Sequence, residues 1–309
     1  MIGENLKELE NLLLNHSYDM SILKRNAPDK KKEAILDSLI ISVVRSNLTL
    51  EELKECIEDV NNDEVIDISF FETGGNLFED FVKEKWVTFA KTLFRQRSVG
   101  LGTPNAASGE GELMFLFLSK HITKPTKGDL EINNEIIELK GERDVRVMGE
   151  VRGKDFRTKT LAICRKYNLT PNQANRTNLE AVELEKVQHL THWNRELNKL
   201  DLSKQKQFVG EWLKCLDNSE HSESVEHIFR DNEFNHSQLI KEIIKILYAV
   251  MVRTSNFTKF IILGNGHNVQ ILSQDIDDFN ERVDSGQIIS QTDYFRINQN
   301  YNIGWYITM

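Results

Sequence analysis

The feature that most restricts the fold of this chain is a fourteen-residue stretch from Gly128 to Gly141, Gly-Asp-Leu-Glu-Ile-Asn-Asn-Glu-Ile-Ile-Glu-Leu-Lys-Gly. Apolar and polar side chains alternate on both sides of Asn133-Asn134, the period-two signature of a β-strand. Asparagine tolerates positive φ, so Asn133-Asn134 serves as a two-residue hairpin turn. In that register Leu130 faces Ile137 and Asp129 faces Glu138. Leu130, Ile132, Ile137 and Leu139 then share one face, while Asp129, Glu131, Glu138 and Lys140 share the other. Ile136 is the exception. One face packs on a core and the other presents carboxylates.

Directly opposed side chains have Cβ atoms roughly 5 Å apart, where like charges destabilise a sheet. Something has to offset the repulsion between Asp129 and Glu138. A hard divalent cation does so, binding oxygen at about 2.1 Å in the case of Mg²⁺. Lys140, two residues beyond Glu138, lies on the same face, where it can polarise a water or stabilise charge on a phosphate. The same residues also suit an edge hairpin with a solvated face. The Glu-x-Lys spacing carries little by itself, since Glu52-Leu53-Lys54 has it within a helical pattern. The glycine before Asp129, the apolar run into Glu138 and a preceding helix that offers another carboxylate favour the site.

A Gly-Glu-x start to that helix, Gly128-Asp129, and then Ile136-Ile137-Glu138-Leu139-Lys140-Gly141 together resemble the PD-(D/E)XK nuclease superfamily, over roughly residues 108–141. The resemblance implies an α/β (α+β) fold, a restriction-endonuclease-like core sheet flanked by helices. In it Asp129 and Glu138 hold Mg²⁺, with Mn²⁺ as an allowed substitute, and Lys140 supports the attacking water. A glutamate early in the preceding helix completes the metal and catalytic set. Glu112, which abuts the apolar helix, is preferred to Glu110, which also suits an ordinary first turn. Lys127-Gly128 stands where the motif has its proline. The implied activity is Mg²⁺-dependent hydrolysis of phosphodiesters, with DNA the substrate expected by analogy. The rival reading is a non-catalytic structural or DNA-binding protein of a phage or mobile-element assembly that keeps the fold. A homing or junction-resolving enzyme differs from the first only in target.

The rest of the chain frames this hairpin. Helical spacing recurs at Leu6, Leu9, Leu12 and Leu13, at Ile35, Leu36, Leu39 and Ile40, and from Thr49 onward. Residues 76–96 read as a further helix with Phe78, Phe81, Val82 and Trp86 on one face. Residues 97–111 are a loop of small residues, in which Gly100, Gly102, Pro104 and Gly109 allow close approach to a ligand and Ser108 suits an N-cap. Leu113–Leu118 is apolar nearly all round and is expected to be buried. Helical patterns return at 178–216 and 236–253. Strands at 257–263 and 269–273 flank Gly264-Asn265-Gly266, and 293–297 and 303–308 flank another turn. The expected organisation is a helical domain at 1–75 and a nuclease-like domain at 76–309 with a helical insertion at about 168–250.

A net charge of −9 excludes nucleic-acid binding by bulk positive charge. Any such site is local. Residues 140–166 hold nine Lys/Arg against four Asp/Glu. Among them Arg143, Arg146, Arg152 and Lys154, followed by Arg157, Lys159, Arg165 and Lys166, suit either phosphate contact or a solvated mixed-charge segment. The expected partner is DNA, a homodimer is an allowed assembly, and no membrane is involved. Three widely spaced cysteines, Cys56, Cys164 and Cys215, do not form a disulfide framework, and the first residues lack a secretion signal. Both point to a cytoplasmic, intracellular setting. His189 and His192 with Glu185 lack the further ligands of a zinc site. Gly264-Asn265-Gly266-His267 lacks the Lys-Ser/Thr of a phosphate loop. Trp193 and Trp212 read as core aromatics.

Overall fold

The computed structural model describes residues 2–96, 111–126, 128–141, 146–169, 196–217, 225–231, 233–254, 258–264, 267–292 and 302–309. The chain divides into two compact units, Met1–Glu142 with Asn256–Gln274, and Arg143–Ser255 with Asp275–Met309. Strands are numbered along the whole chain: β1 (Gly75–Asn76), β2 (Ile122–Thr123), β3 (Leu130–Ile132), β4 (Glu135–Gly141), β5 (Arg146–Arg152), β6 (Phe229–Arg230), β7 (Glu233–Phe234), β8 (Lys259–Leu263), β9 (Asn268–Ser273), β10 (Ile289–Ser290) and β11 (Asn302–Thr308).

The first unit is mixed α/β. Its helices are α1 (Ile2–Asp19), α2 (Asp29–Arg45), α3 (Leu50–Asn61), α4 (Phe70–Thr73), α5 (Leu77–Asp80), α6 (Val87–Phe94) and α7 (Glu112–Leu118). Thr49 and Glu52 close a reciprocal capping box at the start of α3, as its sequence leads one to expect. Every residue of α7 is buried, in keeping with its all-round apolar character. His16 on α1 donates from Nε2 to the Phe117 carbonyl of α7 at 2.9 Å, which satisfies one of the carbonyls a helix end leaves without a partner.

The sheet of this unit has the order β1-β9-β8-β4-β3-β2. β8 runs parallel to β4 and the other neighbours are antiparallel. Leu130, Ile132, Ile137 and Leu139 join Ile261, Leu263 and Val269 in one apolar cluster with residues of the N-terminal helices, from Leu13 onward. That shared core places the N-terminal helices and the sheet in the same unit. β4 lies in the sheet interior between β3 and β8, so the hairpin is not at an edge.

Residues 76–96 do not form one helix. α5 ends at Asp80, Ile66 and Val82 form a short antiparallel bridge, and a 3₁₀ turn at Glu84–Trp86 leads into α6. Asp67 N donates to Phe81 O and Lys83 N to Val65 O, at 2.8 and 2.9 Å. These long-range backbone bonds outcompete the local helix that the apolar spacing suggested.

In the second unit β5, β11 and β10 make an antiparallel sheet in the order β10-β11-β5. Its helices are α8 (Gly153–Lys166), α9 (Leu202–Leu213), α10 (His236–Thr254) and α11 (Ile276–Ser285). Tyr248 of α10 stacks on Phe279 of α11 with ring centroids 3.6 Å apart. The region expected as a helical insertion also contains the small β6–β7 hairpin. Besides β5, β11 pairs with Ile289–Ser290, while the expected strand 293–297 lies outside the described residues. Among the described residues no helix is long and apolar enough to cross a membrane.

Candidate active site

The hairpin has the register its sequence dictates. Leu130 pairs with Ile137, Glu131 with Ile136 and Ile132 with Glu135. Asn133 and Asn134 take φ of 51° and 66°, the left-handed pair a tight hairpin turn demands. Gly128 is required as well, because its φ is 100° and a Cβ there would lie 2.5 Å from Ile136 Cγ2. Just past it, Asp129 N donates to Ile137 O at 3.1 Å, so the regular pairing ends at Leu130 and Asp129 does not pair directly with Glu138 as the sequence register suggested.

Three polar groups converge on the other face. Asp129 Oδ2 accepts a 2.8 Å hydrogen bond from Leu139 N. Lys140 Nζ donates to Glu138 Oε1 at 2.5 Å and lies 3.6 Å from Asp129 Oδ2. The repulsion between the two carboxylates is therefore offset within the chain, by the ammonium between them. This face is not freely solvated, since the side chains of Asp129, Glu138 and Lys140 are only 21, 27 and 29% exposed. Phe260 and Ile262, the β8 residues in register with Glu138 and Lys140, are buried.

Burial and the neighbouring charges shift Glu138 and Lys140. Burial pushes the Glu138 carboxyl above its ordinary range, with Lys140 opposing and the Asp129 and Glu112 charges adding to the rise. Burial pulls the Lys140 ammonium down, but Glu138 first and Asp129 next outweigh it and hold Lys140 above its ordinary value. Lys140 is thus a firmly protonated cation. It is suited to stabilise developing negative charge and unsuited to abstract a proton.

Glu112 opens α7, where Gly111 at φ 84° allows close passage of Phe94, Phe115 and Leu263. The Glu112 side chain is buried at 5% exposure and its carboxylate meets a lysine that the sequence did not single out. Lys124 Nζ lies 2.9 Å from Glu112 Oε2, 3.0 Å from Asp129 O and 3.4 Å from Gly128 O. Lys124 thereby links the start of α7 to the start of the hairpin. Its signal in the sequence is faint, a basic residue before Pro125 in the α7–hairpin connection. The rival third carboxylate, Glu110, lies outside the described residues, as does the loop 97–110.

The donor set suits a hard cation, with carboxylate oxygens from Asp129, Glu138 and Glu112 and no soft ligand among them. The ammonium of Lys140 stands where a cation would sit between Asp129 and Glu138. Among the described residues, however, no three His, Cys, Asp or Glu side chains are already grouped as a metal site. Both lysines have to yield part of their hold before three carboxylates meet one ion.

Of the basic residues expected to touch nucleic acid, Arg143 lies outside the described residues. Arg146, Arg152 and Lys154 belong to the second unit. Arg152 and Lys154 are exposed. Arg146 is engaged along its own strand, with Nη2 2.8 Å from Met148 Sδ and its stem against Gly304. Lys166 pairs with Glu211. His189, His192, Glu185 and Trp193 lie outside the described residues, whereas Trp212 is a buried core aromatic. Gly264 and His267 belong to the β8–β9 connection. Cys56, Cys164 and Cys215 are free and buried. No protein-family profile, characterised protein or solved structure matches the chain.

Proposed function

We propose that this protein is a Mg²⁺-dependent nuclease of restriction-endonuclease-like fold, acting on DNA. The observation that carries the reading is the hairpin group, with Asp129 and Glu138 flanking a firmly protonated Lys140 on a half-buried face. Asp129, Glu138 and Glu112 would hold the ion, which when bound supplies Lewis-acid activation of a water and charge compensation at the phosphate. The Leu139 N–H fixes one oxygen of Asp129, leaving its carboxylate oriented. Lys140 offers its ammonium to the phosphate once it gives up Glu138. The buried Phe260 and Ile262 beside it limit water on that face and so strengthen each charge interaction there. Exposed Arg152 and Lys154 are the candidate phosphate contacts of the second unit.

The decisive experiment incubates the purified protein with plasmid, linear, single-stranded and branched DNA, with Mg²⁺, with Mn²⁺ and with EDTA. Cleavage that needs the cation and disappears in Asp129→Asn supports the reading. Cation-independent cleavage, or none on any substrate, removes it.

One observation favours the rival, a non-catalytic structural or DNA-binding protein. Glu138 and Glu112 each already have a lysine, so the group is self-neutralised without an ion. On that reading DNA binding persists in EDTA and calorimetry detects no Mg²⁺ or Mn²⁺ uptake.

A further inference from the structure

We infer that Lys124 is a built-in competitor for the divalent cation, a positioning residue that holds Glu112 until an ion displaces it. The inference rests on the metal-dependent reading of the same site. Its basis is the company the Lys124 ammonium keeps. Three oxygens surround it, Glu112 Oε2, Asp129 O and Gly128 O, at 2.9, 3.0 and 3.4 Å. A donor set of one carboxylate and two carbonyls is as suited to a hard cation as to an ammonium. Glu112 is 4% exposed, so water gives its charge little relief and a cation has to accompany it. Lys124 supplies such a cation, with its Nζ 2.9 Å from Glu112 Oε2.

Lys124 itself is only 23% exposed and leans back over the connection that carries it. Its ammonium therefore ties the carboxylate at the start of α7 to the backbone that delivers Asp129. An incoming divalent ion that recruits Glu112 has to break this tie, and part of its binding free energy is consumed in doing so. The parent should accordingly bind the ion more weakly than its carboxylates alone would allow. Lys140 is a different case, since it answers Glu138 and Asp129 and belongs to the chemistry proposed above.

The test is a titration of the full chain with Mn²⁺ alone, followed by calorimetry and by the thermal midpoint. Lys124→Met should bind Mn²⁺ about tenfold more tightly than the parent, one tenfold step being about 1.4 kcal/mol. Its midpoint should rise more on adding Mn²⁺, because the ion then neutralises a buried carboxylate that has lost its lysine. The double variant Glu112→Gln/Lys124→Met carries no such carboxylate and should lose the gain. If Lys124→Met does not fold, the parent still decides the question. Acylation of Lys124, read by mass spectrometry, should increase several-fold at saturating Mn²⁺. Parent-like affinity in Lys124→Met, or Lys124 acylation indifferent to bound Mn²⁺, overturns the inference and leaves the nuclease reading standing. A parent that binds no Mn²⁺ overturns both.

Discussion

Two groups of acidic and basic side chains in the first unit are built from the same residue types and behave in opposite ways. One is the hairpin group of Asp129, Glu138 and Lys140. The other lies at an open groove lined by residues 63–68, 80–83 and His121, where Lys83 Nζ lies 3.1 Å from both Asp59 Oδ2 and Glu64 Oε2. Trp86 Nε1 donates to Asp59 at 2.7 Å, and Lys120 and His121 reach Asp63 at 2.8 and 3.0 Å. In the groove, hydrogen bonds from Trp86 and Lys83 hold Asp59 below the ordinary carboxylate range, and those from Lys120 and His121 do the same for Asp63. In the hairpin group burial dominates and Glu138 moves up. The difference teaches that a lysine beside a carboxylate does not by itself fix the carboxylate's charge. The influence that leads does: the Trp86 Nε1 bond at Asp59, whose side chain is only 15% exposed, and burial at Glu138.

The largest effect that separates the two groups is on catalysis. Asp129→Asn and Glu138→Gln should each reduce cleavage by about 10²-fold or more, since each removes an oriented oxygen ligand. Lys140→Ala should reduce the rate as strongly while Mn²⁺ binding survives, because its cation serves the transition state. Lys83→Ala in the groove should cleave at the parent rate. Circular dichroism of each variant checks that the fold persists. Parent-like cleavage by Asp129→Asn would end the nuclease reading.

The next effect is on stability. Lys140→Met leaves Glu138 and Asp129 facing each other on a face that is less than one-third solvated. Breaking a fully buried pair costs about 3–5 kcal/mol and losing an exposed one about 0–1, so an intermediate loss of about 2 kcal/mol is expected. Urea denaturation in EDTA measures it. A loss indistinguishable from that of a surface substitution would mean the hairpin group is as well solvated as the groove.

How much of this was legible follows from which contacts are local. The hairpin register was readable because Asn133-Asn134 and the alternation beside it fix each other over fourteen residues. The burial of α7 was readable from its own composition. The parallel pairing of β4 with β8 was not, because no residue in Lys259–Leu263 specifies which strand it joins. Lys124 escaped notice because its role depends on a connection without periodicity that folds back on itself. Residues 76–96 misled because Phe78, Phe81, Val82 and Trp86 do lie on the apolar side, yet their backbone is claimed by Val65–Asp67. The third carboxylate was readable as a pair of candidates, and the structure describes only Glu112.

A finer separation lies in the sign of the pH dependence. Glu138 is raised in the folded protein, so its contribution to stability is present below the ordinary 4.5 and is lost as pH rises through its folded value. Asp59 is lowered, so its contribution is present above the ordinary 3.8 and is lost as pH falls through its folded value. Relative to the parent, Glu138→Gln should therefore improve on going from acid to neutral pH, and Asp59→Asn should worsen. Urea midpoints across that range, in EDTA, give both slopes. Two slopes of the same sign would contradict the contrast between the sites.

The smallest effect is expected at Lys83, and it is the sharpest check on the groove. Lys83 touches two carboxylates, more partners than most surface lysines have, and a count of ion pairs would rank it as important. Its side chain is 42% exposed and that of Glu64 is 57% exposed. Water already solvates both charges, and holding two long side chains in one arrangement costs rotamer entropy. Asp59 keeps its bond from Trp86 Nε1 when Lys83 is truncated, so no buried acceptor is left without a donor. The Lys83 N–H bond to Val65 O belongs to the backbone and survives in Lys83→Ala. The denaturation midpoint of Lys83→Ala should therefore be barely distinguishable from that of the parent at low salt. Any residual difference should vanish at about 1 M salt, where screening acts within about 3 Å. A loss as large as that of Lys140→Met, and insensitive to salt, would show that the groove is closed to solvent and that the two groups are alike after all.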